Sequence, residues 1–427
     1  MPRTDNFFKY LFALGTNSQR RLNLPLMKSE SRDGMRIDWD VPIEMDDGLV
    51  LRADVFRPVP EGRYPVIMTH GPYAKGLAFQ EGFKSMWNRP LDDEYYKARS
   101  PVWEKVTVPL LSANNWGGQG LHPRGNLEGY VRAASKQKWL ECYGLAHWPH
   151  FYTDYGRLLQ KRFFDFFLKG EKNGWDKQPP VQLQVRQPGE KFVERHENEW
   201  PLARTQWTKF YLQPGTLGLQ RQPPGAEASI TYETTGDGVT FCTPPLNETL
   251  EITGPVAGKL FLSSATNDAD VFLVLRVFDT DGKEVTFQGA LDPRTPIGQG
   301  WLRASHRKLD PELTKPYRPY HTHDEVQPLT PGEVYELDIE IWPTCIVVPP
   351  RYRIGLTVRG KDYQSDGPSI VIPDAPYPFT GVGPFFHTHP QDRPAEIFEK
   401  TNTLHFGPMR QPYVLLPVIP PKESGDD

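Results

Sequence analysis

The chain has 427 residues, enough for two or three domains at roughly 150 residues each. Its 49 Lys and Arg residues face 53 Asp and Glu residues, and the formal net charge of -4 excludes the basic surface of a nucleic-acid-binding protein and a polybasic membrane-binding patch. The 3 cysteines, Cys142, Cys242 and Cys345, are too few and too far apart for a disulfide framework or a C-x-x-C metal site.

Residues 1–35 are left without an assigned element. Residues 7–14 are apolar, but the run is short and Lys9 interrupts it, so it fits neither a signal peptide nor a membrane span. An excess of basic residues in this segment leaves a transit peptide as an alternative to the surface helix of a cytoplasmic protein. No later stretch of the sequence is long enough to span a bilayer.

Strand patterning begins at residue 36. Residues 36–45 alternate polar and apolar side chains, residues 46–48 read D-D-G, and residues 49–56 alternate again, which predicts a β-hairpin. Residues 64–70 form a short apolar run of the kind that predicts a strand covered on both faces.

The next part of the chain mixes strands with helices. Residues 106–112 predict a buried strand that ends in a polar, Gly-rich loop at 114–120, and residues 138–143 predict a further strand. Residues 131–137 and 157–169 predict helices, the second with Phe side chains at helical spacing, typical of core packing, and Gly170 as its stop. Alternating strands and helices predict a parallel α/β sheet, and we assign it to residues 36–178.

From residue 179 to residue 418 the pattern is all-β. Short strand-like runs are separated by Gly and Pro turns, and no helix of useful length is predicted, which is typical of a β-sandwich. Residues 419–427 predict a disordered tail. The predicted strands lie at 181–186, 209–212, 250–253, 258–262, 271–278, 334–341, 353–358 and 369–372.

Several short motifs, in this order, resemble one family of enzymes. Residues 47–58 and 63–76 are similar to the opening of the X-Pro dipeptidyl-peptidase and cocaine-esterase-like serine hydrolases. Residues 252–255, 268–272, 331–332, 342–344 and 353–362 resemble the carboxy-terminal part of that family. The resemblance implies an α/β-hydrolase domain with a helical cap, a jelly-roll domain, and a Ser-His-Asp site that cleaves amides or esters of small molecules or peptides.

The nucleophile of this family is missing from the sequence. Its serine lies in a G-x-S-x-G elbow, where a tight strand-to-helix turn exposes the hydroxyl. None of the serines of the predicted α/β part has glycines two residues to either side, and too few residues separate His70 from residue 106 for the strands and helices of a complete sheet. We interpret this as an internal deletion near Pro90–Leu91 that leaves a truncated α/β-hydrolase sheet. The serines concerned are Ser85, Ser100, Ser112 and Ser135.

The resemblance implies roles for two residues of this chain. His150, in H-W-P-H, matches the family's histidine and would be the general base; the alternative is a surface or core histidine. Tyr73, in G-P-Y, matches the tyrosine whose hydroxyl stabilises the oxyanion; the alternative is a turn aromatic. The family's acid follows W-Y, whereas here Trp116 is followed by two glycines. The open candidates for a partner of His150 are Asn114, Asn115, Gln119 and Asp154.

Other possible sites have simpler explanations. The pairs His321/His323 and His387/His389 have the spacing of zinc ligands on a strand, but without a third ligand we favour loop histidines. Asp268 and Asp270 lack the calcium-loop spacing and are expected to cap a loop. We therefore expect neither a metal nor a cofactor.

Three hypotheses about function follow. The chain is a serine hydrolase of this family, impaired because its nucleophile is missing; or it is a non-catalytic binding or assembly module built on the jelly roll; or it is an unstable product. The substrate and the oligomeric state are not determined by the sequence.

Overall fold

Strands predominate in the fold. The structure, a computed structural model, describes residues 28–45, 48, 50–67, 89–145, 147–290, 292–367, 380–383 and 386–421. The chain divides into two units, Met1–Pro90 and Leu91–Asp427. Tyr73, Ser85, and the strand predicted at 369–372 lie outside the described residues.

The first unit contains a three-stranded antiparallel sheet made of β1 (Lys28–Arg32), β2 (Met35–Glu44) and β3 (Val50–Pro58). The pairing of β2 with β3 confirms the predicted hairpin. Between the two strands, the Gly48 amide donates to the Met45 carbonyl oxygen at 2.9 Å.

The strand predicted at 64–70 is not formed in the part that the structure describes. Residues 64–67 have no regular structure, and the side chains of Val66 and Ile67 are 82% and 62% exposed. The prediction was wrong for these residues, because an apolar run becomes a buried strand only where neighbouring strands pair with it. Residues 68–70 lie outside the described residues.

A four-stranded sheet begins the second unit. The elements in chain order are α1 (Glu94–Lys97), β4 (Leu110–Asn115), α2 (Pro123–Arg132), β5 (Lys138–Tyr143), α3 (His147–Tyr152), α4 (Asp154–Lys169), β6 (Val181–Gln187) and β7 (Lys191–Glu197). The strand order is β4-β5-β6-β7, with β4, β5 and β6 parallel and β7 antiparallel to β6. Helix α2 connects β4 to β5, and helices α3 and α4 connect β5 to β6.

Helix α4 confirms the prediction for residues 157–169. The Thr153 hydroxyl accepts a hydrogen bond from the Gly156 amide at 3.2 Å and caps the amino terminus. Gly170, with φ of 70°, ends the helix in the left-handed conformation that glycine adopts at low cost.

Several predicted elements differ from the structure. The strand predicted at 106–112 is β4 and begins only at Leu110, and the strands predicted at 250–253 and 258–262 are parts of one strand, Leu250–Ser264. The helix predicted at 131–137 lies earlier, at Pro123–Arg132, because proline fits the first helical turn and Ala133 turns to an extended conformation. The strand predicted at 181–186 as the first of the sandwich is β6, which pairs with β5 through Leu140 and Val181. The side-chain pattern of a strand does not specify which sheet it joins.

The two faces of the four-stranded sheet are covered differently. On one face, Leu140 and Cys142 pack with Leu127 and Tyr130 of α2. On the other face, Trp139 packs against a cluster on α4 and the loop after it, which includes Leu159, Phe163 and Trp175. The predicted role of the Phe-rich helix in core packing is confirmed.

An eleven-stranded sheet contains the remaining strands. The strands are β8 (Gln206–Gln213), β9 (Gly218–Gln220), β10 (Ala228–Glu233), β11 (Val239–Cys242), β12 (Leu250–Ser264), β13 (Asp270–Phe278), β14 (Gly298–Arg303), β15 (Tyr335–Val348), β16 (Arg353–Arg359), β17 (Thr401–Phe406) and β18 (Tyr413–Ile419). Their order in the sheet is β10-β17-β12-β18-β8-β9-β11-β16-β13-β14, and β15 pairs with β12. The only α-helix among the described residues of this part is the short α5 (Ala395–Phe398).

This sheet folds over on itself around the largest hydrophobic core of the described residues. A Cβ atom added to Gly258 of β12 would lie 2.5 Å from the Leu273 side chain of β13, and one added to Gly300 of β14 would lie 2.1 Å from the Glu340 carbonyl oxygen of β15. These strands therefore face one another at close range. None of the helices that the structure describes has the length and apolar character needed to cross a membrane.

Candidate functional site

The carboxylate of Glu141 and the imidazole of His150 form the centre of the candidate site. Glu141 lies in β5 between Trp139 and Tyr143, on the sheet face that α4 covers. His150 lies on α3, and its Nε2 atom is 3.1 Å from Glu141 Oε1. Glu141 is only 7% exposed, so this hydrogen bond is largely shielded from water.

Two tyrosines enclose the imidazole. The Tyr143 ring stacks on His150 at 4.1 Å between centroids, and the Tyr155 ring lies 5.0 Å away. Burial and the charge of the Glu141 carboxylate raise the pKa of the Tyr143 phenol, and the same two causes raise the pKa of Tyr155. Both phenols therefore remain protonated at neutral pH.

The orientation of the imidazole decides which atom could act as a base. Nε2 faces Glu141, so the nitrogen left for a reacting group is Nδ1. In the serine-protease arrangement the carboxylate binds Nδ1 and the serine meets Nε2. The pair in this chain uses the two ring nitrogens in the opposite way, since the Glu141 carboxylate contacts Nε2.

Sequence reasoning missed Glu141 as the partner of His150. Of the four candidates it left open, Asn114 donates to Cys142 Sγ at 3.5 Å, Asn115 to the Gly144 carbonyl oxygen at 3.3 Å, and Gln119 to the Pro296 carbonyl oxygen at 2.8 Å. Asp154 forms an exposed ion pair with Arg157. The one available signal was a lone carboxylate inside the buried-type strand K-W-L-E-C-Y, since such a group needs a partner.

The serines near this sheet are engaged in other hydrogen bonds. Ser112 donates to the Asn126 carbonyl oxygen at 3.0 Å, Ser135 to that of Gln137 at 3.0 Å, and Ser100 to that of Tyr96 at 2.9 Å. Within the described ranges no serine hydroxyl is hydrogen-bonded to His150.

The two histidine pairs lie in loops rather than strands. His387 Nδ1 is 2.8 Å from the buried carboxylate of Asp362, and His323 Nδ1 is 3.1 Å from His306 Nδ1. In the part of the chain that the structure describes, no group of three or more His, Cys, Asp or Glu side chains has the geometry of a metal site.

The aspartates of the 268–270 loop have structural contacts. Asp268 accepts hydrogen bonds from the amide and the hydroxyl of Ser305, at 3.0 and 2.7 Å. Asp270 forms ion pairs with Arg303 and Arg393, at 2.9 and 2.8 Å. Asp268 therefore binds the backbone of another loop, as expected of a capping residue, whereas Asp270 forms ion pairs instead.

We expect the stability of the protein to fall between pH 6.5 and pH 4 because of His321. Burial, and then the neighbouring His323, lower the pKa of His321 to about 4, and its Nε2 has no hydrogen-bond partner among the described residues. The unfolded chain, with a histidine pKa near 6.5, binds the proton more tightly in this window, so unfolding becomes easier as the pH falls. His321 alone is expected to contribute a loss of about 2 kcal/mol at pH 5 relative to pH 7, and His323 adds to it.

Urea titrations at pH 7 and pH 5 measure this effect. His321→Asn is expected to remove about half of the difference between the two pH values, because burial also lowers the pKa of His323 to about 4. His196→Asn is the control, since that side chain is 54% exposed and its replacement should leave the difference unchanged. An unchanged pH dependence in His321→Asn would contradict the assignment.

Comparisons with known proteins add to this geometry. Residues 173–415, more than half of the chain, match the X-Pro dipeptidyl-peptidase C-terminal non-catalytic domain. A putative serine esterase of Mycobacterium bovis is 29% identical over 255 residues, covering 50% of this chain and 37% of that protein. The cocaine esterase of Rhodococcus sp. is 23% identical over 306 residues, covering 61% of this chain and 45% of that protein.

A solved structure is similar over a larger part of the chain. The crystal structure of a CocE/NonD family hydrolase from Staphylococcus aureus superposes with a TM-score of 0.72 at 26% identity, covering 80% of this chain and 59% of that one. This chain matches less than half the length of the two curated relatives. The family match and these similarities confirm the resemblance seen in the sequence motifs: the chain belongs to the X-Pro dipeptidyl-peptidase and cocaine-esterase-like hydrolase family.

Proposed function

We propose that this chain is a serine hydrolase of the ester- and peptide-cleaving class whose own catalysis is weak or absent. The hydrogen bond between His150 and the buried Glu141, next to the end of β5, is the observation that most supports a hydrolase. Catalytic side chains of open α/β folds gather at the carboxyl ends of parallel strands. In this proposal His150 is the general base and Glu141 orients its ring.

The proposed fold is a truncated α/β-hydrolase sheet followed by a jelly roll. The parallel strands β4, β5 and β6, with helices between them, support the first part. The eleven-stranded sheet folded around one core supports the second. Two observations support the deletion. The boundary between the two units, Pro90 and Leu91, falls where the sequence indicated it. In addition, most of each curated relative has no counterpart in this chain.

Weak catalysis follows from the missing nucleophile. The G-x-S-x-G elbow is absent from the entire sequence, and the described serines around the four-stranded sheet donate to backbone carbonyls. In a model protease, removal of the serine lowers turnover by about 10⁶ and leaves only the oxyanion hole and substrate binding. Tyr73, by its motif, would supply the oxyanion donor that remains.

A fluorophosphonate probe, which reacts with activated serine hydroxyls, tests this proposal. We expect no adduct by intact-mass analysis, under conditions in which a serine hydrolase with an intact elbow is fully labelled. An adduct would contradict the impairment. If His150→Ala abolished that adduct and His147→Ala did not, the role of His150 would stand; the reverse result would move the base to His147, the other histidine of the motif.

A second candidate function is a non-catalytic binding or assembly module. The observation that favours it is the match of residues 173–415 to a domain described as non-catalytic. The two candidates differ in residual hydrolysis of p-nitrophenyl acetate. Hydrolysis faster than that by free imidazole, and lost in His150→Ala, favours the impaired hydrolase. A chain that unfolds cooperatively and shows no such hydrolysis favours the module.

A further inference from the structure

A second pair of an imidazole and a carboxylate lies in the loops of the eleven-stranded sheet. Asp362 follows the end of β16, and His387 lies in the loop that leads to α5. The Nδ1 atom of His387 is 2.8 Å from Asp362 Oδ1, and the His387 backbone amide donates to Asp362 Oδ2 at 2.7 Å. One carboxylate therefore binds both the ring and the backbone of the histidine and holds the ring in one orientation.

The two side chains of this pair differ in burial. The Asp362 side chain is 8% exposed, whereas that of His387 is 38% exposed. Arg393 supports the loop, since its guanidinium donates to the His387 and Gly360 carbonyl oxygens at 2.5 and 2.6 Å. The loop thus presents a partly exposed imidazole that is held by a buried carboxylate.

The contact with Asp362 determines which ring nitrogen is available. An ionised carboxylate only accepts hydrogen bonds, so Nδ1 carries the hydrogen of the neutral ring and Nε2 carries the lone pair. In the part of the chain that the structure describes, His387 Nε2 has no hydrogen-bond partner. This is the orientation of the serine-protease histidine, whose carboxylate binds Nδ1. The pair of His150 and Glu141 has the opposite orientation.

Two aromatic rings lie beside the imidazole. Phe272 of β13 meets it edge to face, with 5.3 Å between centroids, and the Trp301 ring of β14 lies 6.0 Å away. Phe272 is buried, whereas Trp301 is only partly buried. A partly exposed indole close to a partly exposed imidazole offers apolar surface to an aromatic group of a substrate.

We propose that His387 is the nucleophile of a second acyl-transfer site, which takes aryl esters. The Nε2 lone pair forms a bond to the ester carbonyl carbon, and the bond from that carbon to the aryl oxygen breaks, with its electron pair leaving on the phenolate. Asp362 stabilises the positive charge that the ring acquires. Aryl esters fit because a phenolate leaves readily, whereas an alkoxide is a stronger base than imidazole and does not leave before it.

Water completes the reaction. It adds to the acyl carbon, and the bond from that carbon to Nε2 breaks, with the electron pair returning to the ring. The hydroxyl of the water ends on the carboxylic acid and its proton on the phenolate. This inference does not depend on the function proposed above.

Diethyl pyrocarbonate, which acylates bare imidazole nitrogens, tests the nucleophile in the unmodified chain. Peptide mapping by mass spectrometry gives the reaction rate of each histidine. His196 is the matched comparison, because its side chain is more exposed, at 54%, but its Nε2 lies 3.0 Å from Glu194. We expect His387 to react at least about tenfold faster than His196, the factor that one hydrogen bond to a charged group provides. An equal or slower reaction would overturn the proposal.

Nitrogen NMR of the imidazoles tests the role of Asp362 in positioning the ring. We expect a protonated Nδ1 and a bare Nε2 at His387 in the neutral form. The opposite tautomer would overturn the proposal.

Release of p-nitrophenolate from p-nitrophenyl acetate tests turnover. His387→Ala and Asp362→Asn should each remove most of the release above that of the buffer, and His196→Ala should leave it unchanged. Near-UV circular dichroism checks that each variant is folded. Unchanged release in a folded His387→Ala protein would overturn the proposal. Release that is lost in His150→Ala but kept in His387→Ala would also overturn it, and would support the site around Glu141 instead.

Discussion

Arg186→Met is expected to lower the free energy of unfolding by about 3 kcal/mol. Arg186 lies in β6 and is only 1% exposed. Its Nε donates to the Cys345 carbonyl oxygen at 2.9 Å, and its Nη2 donates to the Ile297 carbonyl oxygen at 2.8 Å and to the Thr344 hydroxyl. The guanidinium also lies over the Phe287 ring, 4.7 Å from its centroid.

These hydrogen bonds hold the four-stranded sheet against the eleven-stranded one. Methionine has a similar length but no donors, so the buried Cys345 carbonyl oxygen and Thr344 hydroxyl would each lose a charged donor, at about 1 to 3 kcal/mol each, whereas the Ile297 carbonyl oxygen would keep the hydrogen bond from the Thr344 hydroxyl. Part of that cost is offset, because methionine carries no charge that has to be removed from water when the protein folds. Burial also lowers the pKa of Arg186, which agrees with a guanidinium that lacks a close carboxylate.

Urea unfolding followed by tryptophan fluorescence measures the change. Arg221→Met is the control, because Arg221 also lies over a phenylalanine ring, 4.4 Å from the centroid of Phe210, but is exposed. We expect that variant to change stability by less than about 1 kcal/mol. Equal effects of the two substitutions would show that the buried hydrogen bonds of Arg186 contribute little.

Gly300→Ala is expected to destabilise the protein by about 3 kcal/mol or more, or to prevent folding. A Cβ atom at this position of β14 would lie 2.1 Å from the Glu340 carbonyl oxygen and 2.9 Å from the Ile341 Cα atom, both in the backbone of β15. A flexible side chain could rotate away from the added methyl group. Because the contacting atoms here belong to the backbone, β14 and β15 must instead move apart to make room for it.

Two other glycines provide a graded comparison. Gly298 lies two residues earlier in β14, and its added Cβ would lie 3.3 Å from a methyl group of Ile341, so Gly298→Ala should cost clearly less. Gly125 lies in α2 with open space around it, and Gly125→Ala should stabilise the protein by about 0.5 to 1 kcal/mol. Thermal unfolding of the three variants should follow this order; a Gly300→Ala protein as stable as Gly298→Ala would contradict the close approach of β14 and β15.

One of the two residues at the centre of the candidate site was predicted from the sequence and the other was not. His150 was found because a short motif around it resembles one in a known family, and such motifs are contiguous in the chain. Its partner Glu141 was missed because no motif surrounds that residue. The contact arises only when α3 folds back over β5 and brings the imidazole to the face on which Glu141 lies.

The same distinction applies to the whole chain. The sequence by itself determined the hairpin of β2 and β3, helix α4 with its glycine stop, and the family, since each depends on neighbouring residues or on short motifs. Only the tertiary structure decided that β6 joins β5, that Arg186 connects two sheets, and that Glu141 meets His150. Side-chain periodicity specifies which face of an element is apolar, whereas the partner of that face is selected by packing between residues far apart in the chain.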